Sequence, residues 1–272
     1  MEIPKKGFTH AGSFHSDDVF ATAFLRILNP EFTVERGFEA PENFDGIVYD
    51  IGRGEFDHHQ AGKEYRENGC PYAAFGLVFR EFGTQILDKE DADSFDEIFI
   101  QPLDESDNTG SPNELAELID DFNPTWDMEK DFDRYFSEAV TFAEEILRNR
   151  FRKIKSNKKA DGIVKKALEE CDGKILVLDP YVPWKFRTIG SGYQFVVYAS
   201  NRGGYNVQGV PVRLNTTELV CAFPEEWRGK ENEELAGISG ISGLRFCHPS
   251  GFLVAAETKE DAILAAKKAM GE

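Results

Sequence analysis

The stretch T-H-A-G-S-F-H-S-D-D at residues 9–18 joins the end of an apolar segment to the start of a helical pattern, and it carries two histidines and two aspartates. A strand, a short loop and a helix in this order form the first part of a β-α-β unit. Two later stretches carry the same residue types: V-Y-D-I-G at 48–52 has one aspartate, and F-D-H-H-Q at 56–60 has an aspartate and two histidines. Four of the five histidines therefore lie in the first sixty residues.

These three stretches predict a metal centre. The imidazole nitrogen is the usual protein ligand for transition metals at neutral pH, and mixed histidine and carboxylate ligands suit Mn²⁺, Mg²⁺ or Zn²⁺. Taken alone, Asp17 and Asp18 would be ordinary charges at a helix start, and a lone histidine is more often structural. Because all three stretches follow strands, their joint occurrence favours a metal-dependent hydrolase.

The first half of the chain alternates strand and helix patterns. Ser16 is an expected helix N-cap, and Pro71 is expected at a first helical position. Expected strands end near residue 10 and span 32–36 and 46–50, and expected helices span 17–28 and 71–82. This alternation predicts an α/β fold with a mostly parallel sheet flanked by helices. His10 and Asp50 fall at the carboxyl ends of strands, where such sheets place their active sites.

The second half is expected to contain a long linking helix and a smaller α+β domain. Apolar residues spaced three and four apart predict a helix from Met128 to about Lys155: Phe132, Phe136, Val140, Ala143 and Leu147. The other expected elements are an acidic turn at 101–110, a helix at 113–121, strands at 174–179, 195–199 and 252–256, and a helix at 260–270. The predicted domains are a metal-binding catalytic domain at 1–125, a linking helix at 126–158 and a substrate-binding domain at 159–272.

A run of seven cations without an intervening acid falls at the end of the long helical pattern: Arg148, Arg150, Arg152, Lys153, Lys155, Lys158 and Lys159. The run could steer a single nucleic-acid strand. It could equally complement the dipole at a helix end, and both interpretations stay open.

Composition limits the class of protein. A chain of 272 residues with 41% hydrophobic residues and 23 phenylalanines is long enough for two cores. We expect no membrane span and no signal peptide, since no apolar run has the necessary length. Four scattered cysteines are typical of free thiols in a cytoplasmic protein. The net charge of −18 argues against binding nucleic acid over the whole surface, but not against a local basic groove.

Two motifs carry a resemblance to known families. Asp57-His58-His59 resembles the signature of the DHH phosphoesterase superfamily, which includes RecJ-like exonucleases, oligoribonucleases and manganese-dependent pyrophosphatases. The string at 9–18 resembles the melanocyte proliferating gene family, formerly uncharacterised protein family 0160 and once described as metal-dependent protein hydrolases. The segment F-C-H-P-S-G-F at 246–252 is similar to a late motif of that family. One departure is His15, which stands where the pyrophosphatases have aspartate.

The resemblance implies a DHH-like fold and two divalent ions, Mn²⁺ or Mg²⁺. One ion would take His10, His15 and Asp50. The other would take Asp17, Asp50, His58 and one further acid, so that Asp50 bridges the two. That acid is Asp104 or Asp107, with Asp104 favoured, although both could be solvated residues of an acidic turn. Asp57 is expected to orient a ligating histidine.

Two metals roughly 3.5–4 Å apart can activate a water and clamp the phosphoryl oxygens. His59 could then donate a proton to phosphate or leaving group. Outside the metals, Arg202 and Arg245 are candidate phosphate ligands, with ordinary surface charge as the alternative. The resemblance supports His248, and Gly251 would allow close approach of the backbone.

The resemblance implies a 3′-to-5′ exoribonuclease in which the second domain closes over the substrate. The expected substrate is single-stranded RNA or a short oligonucleotide, and the chain could form a homodimer. A hydrolase of small phosphoesters or pyrophosphate would need the same metal site but no strand-binding groove. A metal-binding regulator without activity is the third interpretation.

Overall fold

The computed structural model describes residues 3–60, 62–171 and 173–272. It forms two compact units, Met1–Lys155 and Ser156–Glu272. The helices are α1 Ser16–Leu28, α2 Ala74–Phe82, α3 Lys89–Phe95, α4 Gln101–Thr109, α5 Glu114–Asp120, α6 Phe132–Glu170, α7 Lys185–Thr188, α8 Asn232–Ser239 and α9 Lys259–Ala269. The strands are β1 Lys6–His10, β2 Thr33–Gly37, β3 Ile47–Val48, β4 Ile175–Leu178, β5 Phe195–Ala199, β6 Tyr205–Gly209, β7 Leu244–Cys247 and β8 Leu253–Ala256.

The predicted α/β class is confirmed. The first unit contains a parallel sheet of order β2-β1-β3, in which His10 pairs with Gly37 and Phe8 pairs with Val48. Because the three strands run in the same direction, their carboxyl ends meet at one edge of the sheet. The structure divides the chain within α6, whereas the domain limits at 125 and 158 stay a prediction. Within the described ranges, no helix combines the length and the apolar composition that crossing a bilayer requires.

Helix α1 begins within the stretch at 9–18, so that Asp17 and Asp18 lie in its first turn. Its N-cap is His15, so the expectation that Ser16 would be the cap was wrong. The reason is a carboxylate three residues on, since Asp18 Oδ1 accepts a hydrogen bond of 3.0 Å from the His15 backbone N–H. This bond satisfies a group that helix geometry leaves free. It also fixes Asp18 at the start of the helix.

Phenylalanines build the core of the first unit. Phe20 and Phe24 of α1 pack on Phe75, with ring centroids 5.6 and 6.3 Å apart, and all three side chains are fully buried. Phe95 continues the cluster toward Phe151 of α6. Paired rings add specific edge and face contacts to the area that they bury. The core therefore holds α1, and with it the metal-binding stretch, in one position.

The helix expected at 71–82 begins instead at Ala74. Pro71 lies in the preceding turn, where its carbonyl accepts a hydrogen bond from Arg66 Nη1. The first turn of α2 donates backbone N–H groups to two buried carboxylates: Ala74 to Asp17 Oδ2 at 3.2 Å and Gly76 to Asp104 Oδ1 at 3.2 Å. These bonds fix the start of the helix, because the first N–H groups of a helix have no partner within it.

The acidic turn expected at 101–110 was wrong, because these residues form helix α4. A five-residue π-turn at Asp96–Ile100 joins α3 to α4, and the apolar residues Phe99, Ile100 and Leu103 are buried beneath it. Gly110, with a φ of 70°, ends α4 as glycine commonly does. Buried apolar residues therefore outweigh the turn-forming composition of this segment.

Helix α6 runs for 39 residues to Glu170, whereas the prediction ended near Lys155. Ala160 and Val164 carry its buried stripe into the second unit. The basic run at 148–159 therefore lies in the middle of the helix, so its interpretation as a charge at the helix end was wrong. The seven side chains are exposed.

The second unit has a five-stranded sheet of order β4-β5-β6-β8-β7. Only β4 and β5 are parallel, and the other pairs are antiparallel. One face is buried with α8 and α9, including Val207 and Val254. Strands β6 and β7 did not stand out in the sequence, because polar residues alternate with their buried ones.

The aromatic core makes a direct prediction. We expect Phe75→Ala to lower the free energy of unfolding by about 3–5 kcal/mol, since it deletes a fully buried ring and leaves a cavity. Phe38, which is 83% exposed, provides the matched control, and Phe38→Ala should change it by less than about 0.5 kcal/mol. Urea denaturation followed by circular dichroism measures both. Equal effects of the two substitutions would contradict this description of the core.

Candidate metal centre

The stretches for which the sequence predicts metal binding converge at the carboxyl edge of the parallel sheet. His10 is the last residue of β1, and Asp50 follows β3 by two residues. Asp17 and Asp18 lie in the first turn of α1. The pairing of β1 with β3 brings the two strand ends together, so the topology itself assembles the site.

His10 lies between two carboxylates. Its Nε2 is 3.2 Å from Asp18 Oδ2 and 3.1 Å from Asp50 Oδ2. Its Nδ1 lies 3.2 Å from the Ala11 carbonyl oxygen, which only accepts, so Nδ1 carries the proton. Nε2 therefore faces two carboxylate oxygens, an arrangement that needs either a proton on Nε2 or a metal cation between the groups.

His58 repeats this arrangement on the other side of Asp50. Its Nε2 lies 3.2 Å from Asp50 Oδ1, 3.2 Å from Asp107 Oδ2 and 3.5 Å from Asp17 Oδ2. Its Nδ1 is 3.3 Å from Asn108 Oδ1. The Asn108 amide nitrogen donates to two backbone carbonyls, those of Tyr72 and Asp104, so its oxygen must face the histidine.

Asp50 therefore divides its two oxygens between the two histidines. Its backbone has a φ of 57°, a left-handed conformation that aspartate adopts more readily than most residues. The Asp50 N–H donates to the Phe56 carbonyl oxygen at 3.0 Å, which holds the turn between β3 and the Asp-His-His segment. The turn is what aims the carboxylate into the space between the two histidines.

The site concentrates negative charge away from water. Asp17, Asp18 and Asp50 are at most 2% exposed. Five of the buried atoms have no hydrogen-bond partner among the described residues: Asp17 Oδ1, Asp18 Oδ2, Asp50 Oδ1, Asp50 Oδ2 and His58 Nε2. Buried charges of one sign without partners are strongly unfavourable. Oxygen and imidazole donors so placed fit a hard or borderline divalent cation.

The pKa values show the same conflict between burial and charge. Burial and the neighbouring carboxylates raise the pKa of Asp17 well above its ordinary range, and burial raises that of Asp18. Burial opposes ionisation of Asp50 as well, but His10 and His58 hold its pKa at about 2. Although burial alone would lower it, Asp18 and Asp50 raise the pKa of His10 to about 10. Binding of a divalent cation to these ligands would therefore release protons.

His15 lies on the exposed side of the site. One ligand atom from each of His15, Asp17 and Asp107 falls in a common group whose atoms are within 4.8 Å of one another. The His15 ring is 5.9 Å from the His10 ring, and both residues line a cavity of about 480 Å³ with Asp50. The expected set of His10, His15 and Asp50 therefore borders one space, with His15 at its mouth.

Asp57 binds no member of the buried group. Its Oδ1 accepts from the His59 backbone N–H at 2.9 Å and lies 3.0 Å from His59 Nδ1, and its Oδ2 accepts from the Arg53 N–H at 2.6 Å. The histidine that it orients is thus His59 and not His58. The side chain of His59 is 58% exposed, so its Nε2 is available to a ligand.

The structure separates the two candidates for the fourth acid. Asp104 Oδ2 accepts a hydrogen bond of 2.8 Å from Arg66, which also pairs with Asp96, and Asp104 Oδ1 accepts from α2. Burial raises the pKa of Asp104 to about 7, even with Arg66 beside it. Asp107 instead faces His15 and His58. The geometry therefore favours Asp107 over the expected Asp104.

Three further residues belong to the site although the sequence did not single them out as site residues. Asp18 contacts His10, and Asn108 orients His58. Arg36 donates to the Gly12 carbonyl at 2.9 Å, and its guanidinium lies 4.2 Å from the centroid of the Phe136 ring, so it braces the loop between His10 and His15. Only a tertiary structure places Arg36 and Asn108 here, but the two consecutive acids at the start of α1 were a signal for Asp18.

The candidate phosphate ligands lie in the second unit. Arg202 and Arg245 line a cavity of about 560 Å³. The His248 Nδ1 is 2.9 Å from Ser250 Oγ. Gly251 has a φ of 69°, and a Cβ there would lie 2.6 Å from Arg228 Nε, so its glycine is explained by packing.

The fold and this site define a class: an α/β protein with a buried histidine–aspartate centre suited to divalent metals. The comparisons with known proteins then give the family. The family model MYG1_exonuc, described as "Uncharacterised protein family (UPF0160)", matches residues 7–270. The chain belongs to this family, so the predicted resemblance to it is confirmed.

Similar proteins occur in distant organisms. The "MYG1 protein" of Dictyostelium discoideum is 28% identical, covering 97% of this chain and 96% of the relative. The "MYG1 exonuclease" of Rattus norvegicus is 29% identical, covering 100% and 86%. The "MYG1 protein" of Chlamydia pneumoniae is 29% identical, covering 93% and 92%. The similarity thus extends over both compact units.

The two acids of α4 give a paired prediction. Asp107→Asn should weaken Mn²⁺ binding by at least about tenfold, since it removes a carboxylate beside His58, with little loss of stability. Asp104→Asn should leave Mn²⁺ affinity within about threefold but lower the free energy of unfolding by about 2–3 kcal/mol, because Arg66 or the N–H of α2 loses its acceptor. Isothermal titration calorimetry and urea denaturation measure the two quantities. The opposite pattern would restore Asp104 as the ligand.

Proposed function

We propose that this chain is a metal-dependent phosphodiester hydrolase of the exonuclease type, and that it removes nucleotides from the 3′ end of single-stranded RNA. Family membership and the printed name of the mammalian relatives, "MYG1 exonuclease", support an exonuclease-like hydrolase. The observation that carries the proposal is the position of Asp50, whose two oxygens lie 3.1 and 3.2 Å from Nε2 of two different histidines.

We further propose two ions, Mn²⁺ or Mg²⁺, with Asp50 as their shared ligand. His10, Asp18 and Asp50 would hold one, with His15 at the open side, and Asp17, Asp50, His58 and Asp107 would hold the other. This sharing, together with Asp57-His58-His59, supports membership of the DHH phosphoesterase superfamily. A pair of bound ions supplies an activated water and neutralises charge on the phosphoryl oxygens.

The residues of the chain supply the other parts of the mechanism. Asp57 holds His59 through Nδ1, so His59 presents Nε2 to the substrate and can donate a proton to the leaving oxygen. Because the proposed carboxylate ligands are buried in fixed positions, the site needs little rearrangement during the reaction. Arg202, Arg245 and His248 are proposed to contact phosphates of the substrate, and the exposed cations at 148–159 to attract the strand.

A hydrolase of small phosphoesters is the second candidate. The observation that favours it is a cavity of about 590 Å³ beside His15 and Asp107, whose other lining residues include Glu117, Asp120 and Asp121. Acidic walls repel every phosphate of a long strand that lies along them, whereas a small phosphoester brings only one or two phosphates near them.

A panel of substrates tests the proposal. With Mn²⁺, 5′-labelled RNA should give a ladder shortened from the 3′ end, resolved on a denaturing gel, whereas a cyclic dinucleotide and pyrophosphate should stay intact. Turnover of a dinucleotide or pyrophosphate without RNA would transfer the proposal to the small-substrate hydrolase. No turnover of any substrate, with tight metal binding, would indicate a regulator.

The bridging role of Asp50 has its own test. Asp50→Asn should lower the rate of RNA hydrolysis at least about a thousandfold, since it removes a charge shared by both ions. Its circular dichroism spectrum should be unchanged. Glu39→Gln, an acid outside the cluster, is the matched control and should retain full activity. Near-normal activity of Asp50→Asn in saturating Mn²⁺ would contradict the shared-ligand assignment.

A further inference from the structure

The sheet of the second unit has one face that is only partly covered. Cross-strand pairing places Tyr198, Asn206, Ala255 and Phe246 in one row across β5, β6, β8 and β7. Asn206, Ala255 and Phe246 are half-buried, and Tyr198 is buried in a second core cluster. The residues that follow or precede the half-buried three on the strands, Val207, Val254 and Cys247, belong to the buried core of the other face. Side chains on a strand alternate between faces, so this row faces away from that core.

Aromatic side chains border the row at both ends. Tyr181 lies beside Tyr198, with ring centroids 4.7 Å apart, and Tyr181 is 50% exposed. At the other end, Phe246 and Phe252 both contact His248, at 6.2 and 4.5 Å between ring centroids. The cavity of about 560 Å³ between them is lined by both tyrosines, Phe246 and amide side chains.

The charge of this cavity is opposite to that of the whole chain. Its only charged lining residues, among the part of the chain that the structure describes, are Arg202 and Arg245, although the chain carries a net charge of −18. Arg202 is exposed. Arg245 Nη1 donates to the Gly203 carbonyl at 3.3 Å, which holds its guanidinium at the rim beside the glycine-rich turn.

We propose that this face, defined by Tyr181, Asn206, Phe246, Arg202 and Arg245, is a stacking site for the bases of single-stranded nucleic acid. The inference rests on the proposed function for the identity of its ligand and assigns it the bases in addition to the phosphates. Aromatic rings on an open sheet face stack on bases, and arginines at the rim neutralise the phosphates between them. The half-buried amide of Asn206 supplies a donor and an acceptor for a base edge.

Binding without hydrolysis tests the site. Octa-adenylate RNA labelled with 5′-fluorescein is titrated with the protein in EDTA, and its fluorescence anisotropy gives the Kd. Tyr181→Ala and Phe246→Ala should each raise Kd about tenfold, and Tyr181→Phe, which retains the ring, should bind within about twofold of the unchanged protein. Phe186, an aromatic residue of the same unit that is 77% exposed, is the matched control, and Phe186→Ala should have no effect.

A second oligomer separates stacking from charge. An abasic ribose-phosphate octamer should bind more weakly than octa-adenylate, and Tyr181→Ala should not weaken it further. Arg202→Ala should weaken the binding of both oligomers. Thermal melting confirms that each variant is folded. The inference would be overturned if octa-adenylate bound equally well to the unchanged protein, to Tyr181→Ala and to Phe246→Ala. It would also be overturned if the unchanged protein bound neither oligomer, or bound both with the same Kd.

The proposed function is tested in a separate assay, which measures Mn²⁺-dependent hydrolysis of bis(p-nitrophenyl) phosphate and of the RNA. Loss of octa-adenylate binding in the two alanine variants, with hydrolysis of the small diester retained, supports both proposals. Loss of binding in a protein that hydrolyses neither substrate supports the stacking site and overturns the hydrolase. Hydrolysis of RNA without any effect of the aromatic substitutions supports the hydrolase and overturns the stacking site.

Discussion

The repulsion among four aspartates at the edge of the parallel sheet is the constraint on which the rest of the first unit depends. Asp17, Asp18, Asp50 and Asp107 approach two histidines whose Nδ1 atoms are directed away, toward Ala11 and Asn108. Carboxylates at such separations destabilise a fold unless protons or cations lie among them. The aromatic core, the caps of α1 and α2 and the turn at Asp50 hold these groups in place against their repulsion.

The supporting contacts form a second layer around the charges. Arg66 joins Asp96 and Asp104, and its guanidinium lies 3.9 Å from the centroid of the Tyr72 ring. Asp104 then holds the start of α2 through Gly76, and a Cβ on Gly76 would lie 1.9 Å from the Asp104 carboxylate. Asp17, which faces the metal site, bonds the same helix. A structural ion pair and a carboxylate of the candidate metal centre thus share one helix terminus, although Asp17 and Asp104 lie far apart in the sequence.

Much of the site could be predicted from the sequence because strand ends concentrate function. His10 and Asp50 follow parallel strands, and the Asp-His-His segment lies one turn further on, so a topological rule was sufficient. Asp18 was missed as a site residue because the ligand set implied by the family resemblance included only its neighbour Asp17, and the sequence does not show that Asp18 Oδ2 lies 3.2 Å from His10 Nε2. The preference for Asp104 over Asp107 depended on an acidic turn. In the helix that forms there, Asp104 accepts hydrogen bonds from Arg66 and Gly76, whereas Asp107 lies beside His58. These tertiary contacts could not be predicted from the sequence.

The second unit was less predictable from sequence for a related reason. Strands β6 and β7 carry polar residues on an exposed sheet face, and the helical stripe of α6 continues past a basic run that resembled a helix end. Both departures arise where exposed side chains hide a buried pattern on the opposite side. The same exposed side chains are the ones that the proposed interaction with nucleic acid would use, so the strands that were hardest to predict are also those that carry the proposed binding surface.

Anomalous diffraction at the manganese edge from crystals grown with Mn²⁺ tests whether two ions share Asp50. We expect two peaks about 3.5–4 Å apart, one beside His10 and Asp18 and one beside His58, Asp17 and Asp107, with an oxygen of Asp50 bound to each. A single peak, or peaks whose ligands exclude Asp50, would contradict it.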